Sequence, residues 1–306
     1  MNSQSICESI TRRRPHEGCY GVKIVIARPF RIAPAVIAIA AVLGVVACNQ
    51  ANAHKSRQAE DAPANPRQAY FQMLQPVALS NCELQRFGEP NDGGYLMCGN
   101  LLGSVQAGYS YGISGYDGWG CDVSTELKVT VHEYDCFDTT EPECPKGILK
   151  FHAECVGDKQ ETVEGRVFDT VANQFARNGD ASKRIVLKMD VEGAEWDSFL
   201  SSPDDVFEKI DQLVVEFHGV GDERNGTQDQ KRRVLQKLRR FFEVGHIHYN
   251  NATCSAGYEP FPSWAYEVLF VSKRLAVVDQ TRKAVGLHPL DAPNLPSSSD
   301  CQPKAQ

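Results

Sequence analysis

Beyond position 66 the apolar residues recur in two rhythms. Short, nearly unbroken apolar runs fall at residues 107–113, 128–134, 148–156, 184–189, 212–217, 244–249 and 265–272, each of strand length. Between them apolar positions return every three or four residues. Phe168, Val171, Ala172 and Phe175 form one such series; Val234, Leu235, Leu238, Phe241 and Phe242 form another. That spacing belongs to helices with one buried side. The alternation predicts an α/β fold: a mostly parallel sheet with helices on both faces. The last two runs lie close together in the chain, which permits an antiparallel edge. Residues 289–299 are rich in Pro and Ser and read as a loose tail that Cys301 could pin.

The first residues carry a different pattern. Arg12, Arg13, Arg14, Lys23, Arg28 and Arg31 form a cationic flank, followed by an apolar run over 32–47 broken only by Pro34. The run is shorter than the roughly 20 residues of a spanning helix, and its length suits a secretory signal. Val45-Val46-Ala47-Cys48 resembles a lipoprotein box, Ala51-Asn52-Ala53 a small-x-small cleavage site, and retention as a short anchor is a third outcome. In each case the charge bias puts the rest of the chain outside the cytoplasm, in a secretory pathway or cell envelope. The organisation expected is a targeting segment over 1–53, a linker over 54–66, one domain over 67–278 and the tail over 279–306. Any membrane contact is expected through the N-terminal segment alone.

Composition narrows the partners. The 306 residues carry a net charge of -7, with 42% hydrophobic and 23% charged residues. A nucleic-acid partner would call for a clustered Lys/Arg footprint. The basic cluster of Lys231, Arg232, Arg233, Lys237, Arg239 and Arg240 instead follows an amphipathic helical pattern and reads as a solvated helix face. Of eleven cysteines, eight lie beyond residue 55: Cys82, Cys98, Cys121, Cys136, Cys144, Cys155, Cys254 and Cys301. An even number behind a leader predicts disulfides. Asn225-Gly-Thr227 and Asn251-Ala-Thr253 match the glycosylation acceptor pattern.

In doubly wound sheets ligands sit beyond the carboxyl ends of the strands, so the chemistry is sought there. The first run enters Gly112-Ile113-Ser114-Gly115, and two further glycines follow by Gly120; such a loop lets backbone approach a ligand. The second ends in Asp135, placed to accept from ribose hydroxyls. The third leads to Asp158, a candidate for an adenine amino group. The fourth delivers Lys188, Asp190, Glu192, Gly193 and Glu195, and the fifth ends Glu216-Phe217-His218. Strand alternation puts His246, His248 and Asn250 on one face. His-x-His is a metal-ligand spacing, but hydrogen-bonded structural histidines are the favoured reading, and no metal site is assigned.

Taken together, these residues resemble the FkbM-type and related methyltransferase-like proteins. Leu187-Lys188-Met189-Asp190-Val191-Glu192-Gly193-Ala194-Glu195 looks like that family's Lys-hydrophobe-Asp-hydrophobe-Glu-Gly-x-Glu motif. Asp92-Gly93-Gly94-Tyr95, His132-Glu133-Tyr134-Asp135, Phe151-His152, Val215-Glu216-Phe217-His218 and Tyr266-Glu267-Val268-Leu269-Phe270 follow in order, over about residues 80–273. The resemblance implies a class I methyltransferase fold of seven strands, the last antiparallel, with S-adenosylmethionine as cofactor. It places Gly112, Ser114 and Gly115 against the methionine part, Asp135 on the ribose, and Asp190 at the methyl-transfer site. The acidic-x-Gly-x-Gly-x-Gly motif usual in class I enzymes is replaced here by Gly112-Ile-Ser-Gly115.

The expected reaction is O-methylation of a glycan or small-molecule hydroxyl, with Asp190, Glu216 and His218 as catalytic candidates and His218 as base. Two other readings stand beside it. One is a binding domain that keeps the fold without catalysis. The other is a metal-dependent hydrolase using Asp190, Glu216, His218 and His248.

Overall fold

The structure, a computed structural model, describes residues 66–219, 226–284 and 286–301. The leader, nearly all of the linker, and Asn225 of the first acceptor pattern lie outside the described residues. The chain enters through α1 (Pro66–Met73) and a hairpin of β1 (Leu84–Gly88) and β2 (Gly94–Cys98). There follow β3 (Ala107–Tyr111), α2 (Gly118–Leu127), β4 (Thr130–Tyr134) and β5 (Ile148–His152). A small sheet of β6 (Cys155–Val156), β7 (Glu161–Val163) and β8 (Arg166–Asp169) precedes α3 (Val171–Arg177) and β9 (Ile185–Met189). The domain ends with α4 (Glu195–Ser201), α5 (Asp204–Lys209), β10 (Ile210–Phe217), α6 (Gln228–Phe241), β11 (Phe242–Tyr249) and β12 (Tyr266–Ser272).

All seven predicted runs contribute to one sheet, ordered β11-β12-β10-β9-β3-β4-β5. β12 runs antiparallel to both β10 and β11; the other pairings are parallel. This is a mixed α/β arrangement compatible with a Rossmann-like fold. β3, β9, β10 and β12 are buried at every position. Burial on both faces is why they read as apolar runs rather than as alternation.

The two faces are covered differently. One packs against α1 and α3–α6 through Tyr70, Phe175, Trp196, Phe207, Leu235 and Leu238. The other is covered by α2, with Trp119 and Val123, and by the hairpin, with Phe87, Tyr95 and Met97. The hairpin escapes the hydrophobic pattern because β1 buries only Phe87. Gln212 in β10 ties it to the sheet, accepting from Cys98 N at 2.8 Å and donating to Cys98 O at 2.9 Å.

Three local expectations change. The run over 148–156 is broken, because β5 ends at His152 and the chain turns to pair β6 with β8. Phe168 lies in β8, not in a helix; α3 begins only after Thr170, whose side chain accepts from Asn173 N. The Pro/Ser-rich tail is packed rather than loose. Asn91 donates to Pro293 O, Asn294 to Asp92 and Glu267, and Asn251 to Leu295 O and Ser298 O.

The eight cysteines beyond residue 55 form four disulfides: Cys82–Cys98, Cys121–Cys144, Cys136–Cys155 and Cys254–Cys301. Such pairing is consistent with an oxidising, extracytoplasmic compartment. No helix among the described residues is long and apolar enough to cross a membrane.

Candidate functional site

Strand order reverses between β3 and β9: β3 leads to β4 on one side, and β9 leads to β10 on the other. At their carboxyl ends two backbones meet. Gly112 has φ +74°, and a Cβ there would stand 1.6 Å from the Asp190 carbonyl oxygen. Only glycine fits. Lys188, buried in β9, donates to Gly112 O at 3.0 Å and holds the loop from below. Ser114 has a positive φ of 48°, a conformation uncommon outside glycine.

Asp135 closes the loop. Its Oδ2 accepts from Ile113 N at 3.0 Å and Ser114 N at 2.8 Å, and its Oδ1 from Phe137 N at 2.8 Å and Asp138 N at 3.1 Å. A carboxylate offers about four lone-pair directions, and backbone N–H groups take them all. The sequence assigned Asp135 to ribose hydroxyls; here it is a brace between two strand ends. Asp138, which pattern reading passed over, is exposed. Its Oδ2 lies 2.9 Å from where a Cβ on Gly115 would be.

On the other side of Asp190 lies an acid-rich pocket. Tyr95 donates to Asp190 Oδ2 at 2.9 Å, so the hairpin delivers a hydroxyl to the strongest motif. His218 Nε2 is 3.8 Å from Asp190 Oδ1, Glu192 Oε2 and Glu216 Oε1 alike. Its Nδ1 lies 3.4 Å from Glu195 Oε1, without the alignment of a hydrogen bond. Glu195 is wholly buried and accepts from Gly193 N and His218 N, at 2.8 and 2.7 Å. It is a positioning residue, closing the strongest motif onto the backbone of His218.

Electrostatics changes two assignments. Burial opposes charge on His218, but Glu195, Glu216 and Asp190 outweigh it and hold the imidazole up to about 10. With protein groups alone around it, His218 is a cation at neutral pH and cannot serve as the base. Glu216 is pushed well above the usual carboxylate range by burial, and further by Asp190 and Glu267. Asn250 donates to its Oε1 at 2.7 Å. Burial and acidic neighbours favour the protonated form of Glu216.

The remaining candidates fall elsewhere. Asp158 is exposed beyond β6, on the small sheet rather than at the end of β5, because the chain leaves the central sheet at His152. His246 contacts Asp291 at 2.8 Å; His248 contacts Glu267 and Asp300 at 3.2 and 3.3 Å. Both act in holding the tail. Asn251 is buried, with its side-chain amide bonded to the tail, so the second acceptor pattern is closed to a glycan in this fold. In the basic helix, Lys237 turns inward to the last carbonyls of α4, reaching Leu200 O at 2.9 Å, while Arg232 and Arg233 pair with Asp229. A cavity of about 470 Å³ lies away from these groups, against α1 and β11, lined by Phe71, Ile247, Tyr249 and Arg282 among others.

No protein-family model matches the chain, and no curated protein matches it.

Proposed function

We propose that the domain is an S-adenosylmethionine-dependent methyltransferase acting on a hydroxyl of a glycan or small molecule. The supporting observation is the crossing of Gly112 and Asp190 at the point where strand order reverses. Doubly wound sheets bind nucleosides at that point. The antiparallel seventh strand, β12, accords with the fold that the FkbM-type resemblance implies. In this reading the loop Gly112–Gly115 faces the donor, and Asp138, rather than Asp135, is the carboxylate open to ribose hydroxyls. The exposed rings of Tyr116 and Phe137, 59% and 76% accessible, flank the loop and offer faces for a base or a sugar.

The sulfonium supplies the activated methyl, so the protein mainly aligns donor and acceptor. The acceptor oxygen forms the new O–C bond as the S–C bond breaks, and the hydroxyl proton must leave. His218 already carries a proton and Glu216 is driven toward its protonated form, which leaves Asp190 Oδ1, without a hydrogen bond among the described residues, to receive it.

The occupied carboxylate of Asp135 favours a second reading, a binding domain of the same fold without turnover. Calorimetry with S-adenosylmethionine, followed by incubation with methyl-labelled donor and a glycan panel, separates the two. Micromolar binding with label transfer, lost in Asp190→Asn, supports the enzyme. Binding without transfer, or no binding at millimolar donor, overturns the enzyme and supports the second reading.

A further inference from the structure

We propose that Asp190, Glu192 and His218 form a binding site for a divalent metal ion of mixed oxygen and nitrogen preference, with Mn²⁺ as the fitting case. One ligand atom from each lies within 4.8 Å of the others. Nε2 of His218 stands 3.8 Å from Asp190 Oδ1 and from Glu192 Oε2. Those separations are too long for hydrogen bonds. They suit a shared ion, since bonds of roughly 2.0–2.2 Å set neighbouring ligands about 3–4 Å apart.

The imidazole is the second, independent sign. His218 is 4% exposed, its Nδ1 has no hydrogen-bond partner among the described residues, and its Nε2 stands 3.8 Å from Asp190 Oδ1, Glu192 Oε2 and Glu216 Oε1 alike. Behind it sits Glu195, itself fixed by two backbone N–H groups and 3.4 Å from Nδ1. A carboxylate at the far ring nitrogen is the usual support of a metal-bound histidine, setting its tautomer and ring orientation. Tyr95 occupies Asp190 Oδ2 and leaves Oδ1 turned to the imidazole.

A neighbouring trio, Asp92, Glu216 and Glu267, is equally compact. Four of its six oxygens already have partners, and it offers no imidazole. Asn294 donates to Asp92 and Glu267, Asn250 donates to Glu216, and His248 contacts Glu267. The ion is therefore assigned to the Asp190 trio. One imidazole with two carboxylates and open positions suits Mn²⁺ better than Ca²⁺ or a thiolate-seeking metal. If the methyl-transfer reading holds, an ion on Asp190 Oδ1 would occupy the proton-accepting oxygen and instead lower the acceptor hydroxyl's pKa, its proton leaving to solvent. Binding itself is independent of that reading and is measured without donor.

The test is titration of chelator-treated, disulfide-intact protein with MnCl₂, following free Mn²⁺ by electron paramagnetic resonance. One equivalent should be taken up. Glu192 is 82% exposed, so Glu192→Gln leaves the fold intact; it should weaken binding about tenfold or more, as should Glu195→Gln through the imidazole. His218→Gln should abolish uptake, and Asp92→Asn should leave it unchanged. Failure to bind at millimolar Mn²⁺ overturns the site, as does binding indifferent to Glu192→Gln and His218→Gln. Sensitivity to Asp92→Asn alone overturns it in favour of the neighbouring trio.

Discussion

Asp135 Oδ2 accepts the backbone N–H of Ser114 at 2.8 Å, across 21 residues of chain. The bond joins the ends of two parallel strands and sets the loop that would face a nucleoside. Ser114 holds a positive φ because this carboxylate, with the support of Lys188 on Gly112, over-determines the turn.

Asp135→Ala should therefore cost stability before it costs chemistry. Charged-acceptor hydrogen bonds and the burial of freed N–H groups together suggest a loss on the order of 3 kcal/mol. The midpoint and slope of urea unfolding would measure it. An unchanged midpoint with weakened donor binding would restore the ribose role.

Glu133 lies wholly buried in β4, and burial, then Asp117, push its carboxyl from 4.5 up to about 9. Folded protein keeps this proton where the unfolded chain releases it, so stability falls as pH rises from 4.5 toward 9. Glu133→Gln removes that slope and should stabilise the protein by about 1–3 kcal/mol near pH 8. Urea unfolding of both proteins at acid and alkaline pH decides it; parallel slopes would count against a neutral buried Glu133.

His248 works in the other chemical sense. Burial disfavours its charge, but Glu267, with Asp291 and Asp300, raises it from 6.5 to about 9. Its contribution is complete below pH 6.5 and is lost as pH rises through about 9. Amide exchange over residues 288–301 should accelerate across that upper range, after correction for intrinsic rate. His248→Gln should show the faster exchange already at neutral pH.

Cys254–Cys301 closes a loop with a sequence separation of 47 and fixes the end of the tail. Chain-entropy reasoning puts the cost of Cys254→Ser/Cys301→Ser on the order of 4 kcal/mol. Limited proteolysis should then cut within 288–301 while the central sheet persists. Resistance equal to that of the parent protein would show that hydrogen bonds alone hold the tail.

Much of this architecture was legible in the chain. The seven central strands follow from apolar runs, and the even cysteine count anticipated the disulfides. The hairpin was not, because β1 offers one buried side chain and so no periodic signal. Nor was the packed tail, whose Pro- and Ser-rich composition is that of loose segments while its backbone is bonded to Asn251. Tyr95 stood in the Asp92-Gly93-Gly94-Tyr95 motif, but nothing local pointed its hydroxyl at Asp190.

By itself the amino-acid order determined the seven strands of the central sheet and which ionisable residues stand at most of their carboxyl ends. Those depend on spacing and apolarity within a few neighbouring residues. Only the tertiary structure decided what those residues do. It gave Asp135 four backbone donors, surrounded His218 with carboxylates, and left Asp158 outside the central sheet. Partners and charge states are set by groups distant in the chain and by how far water is excluded around them, and neither quantity is written in local sequence.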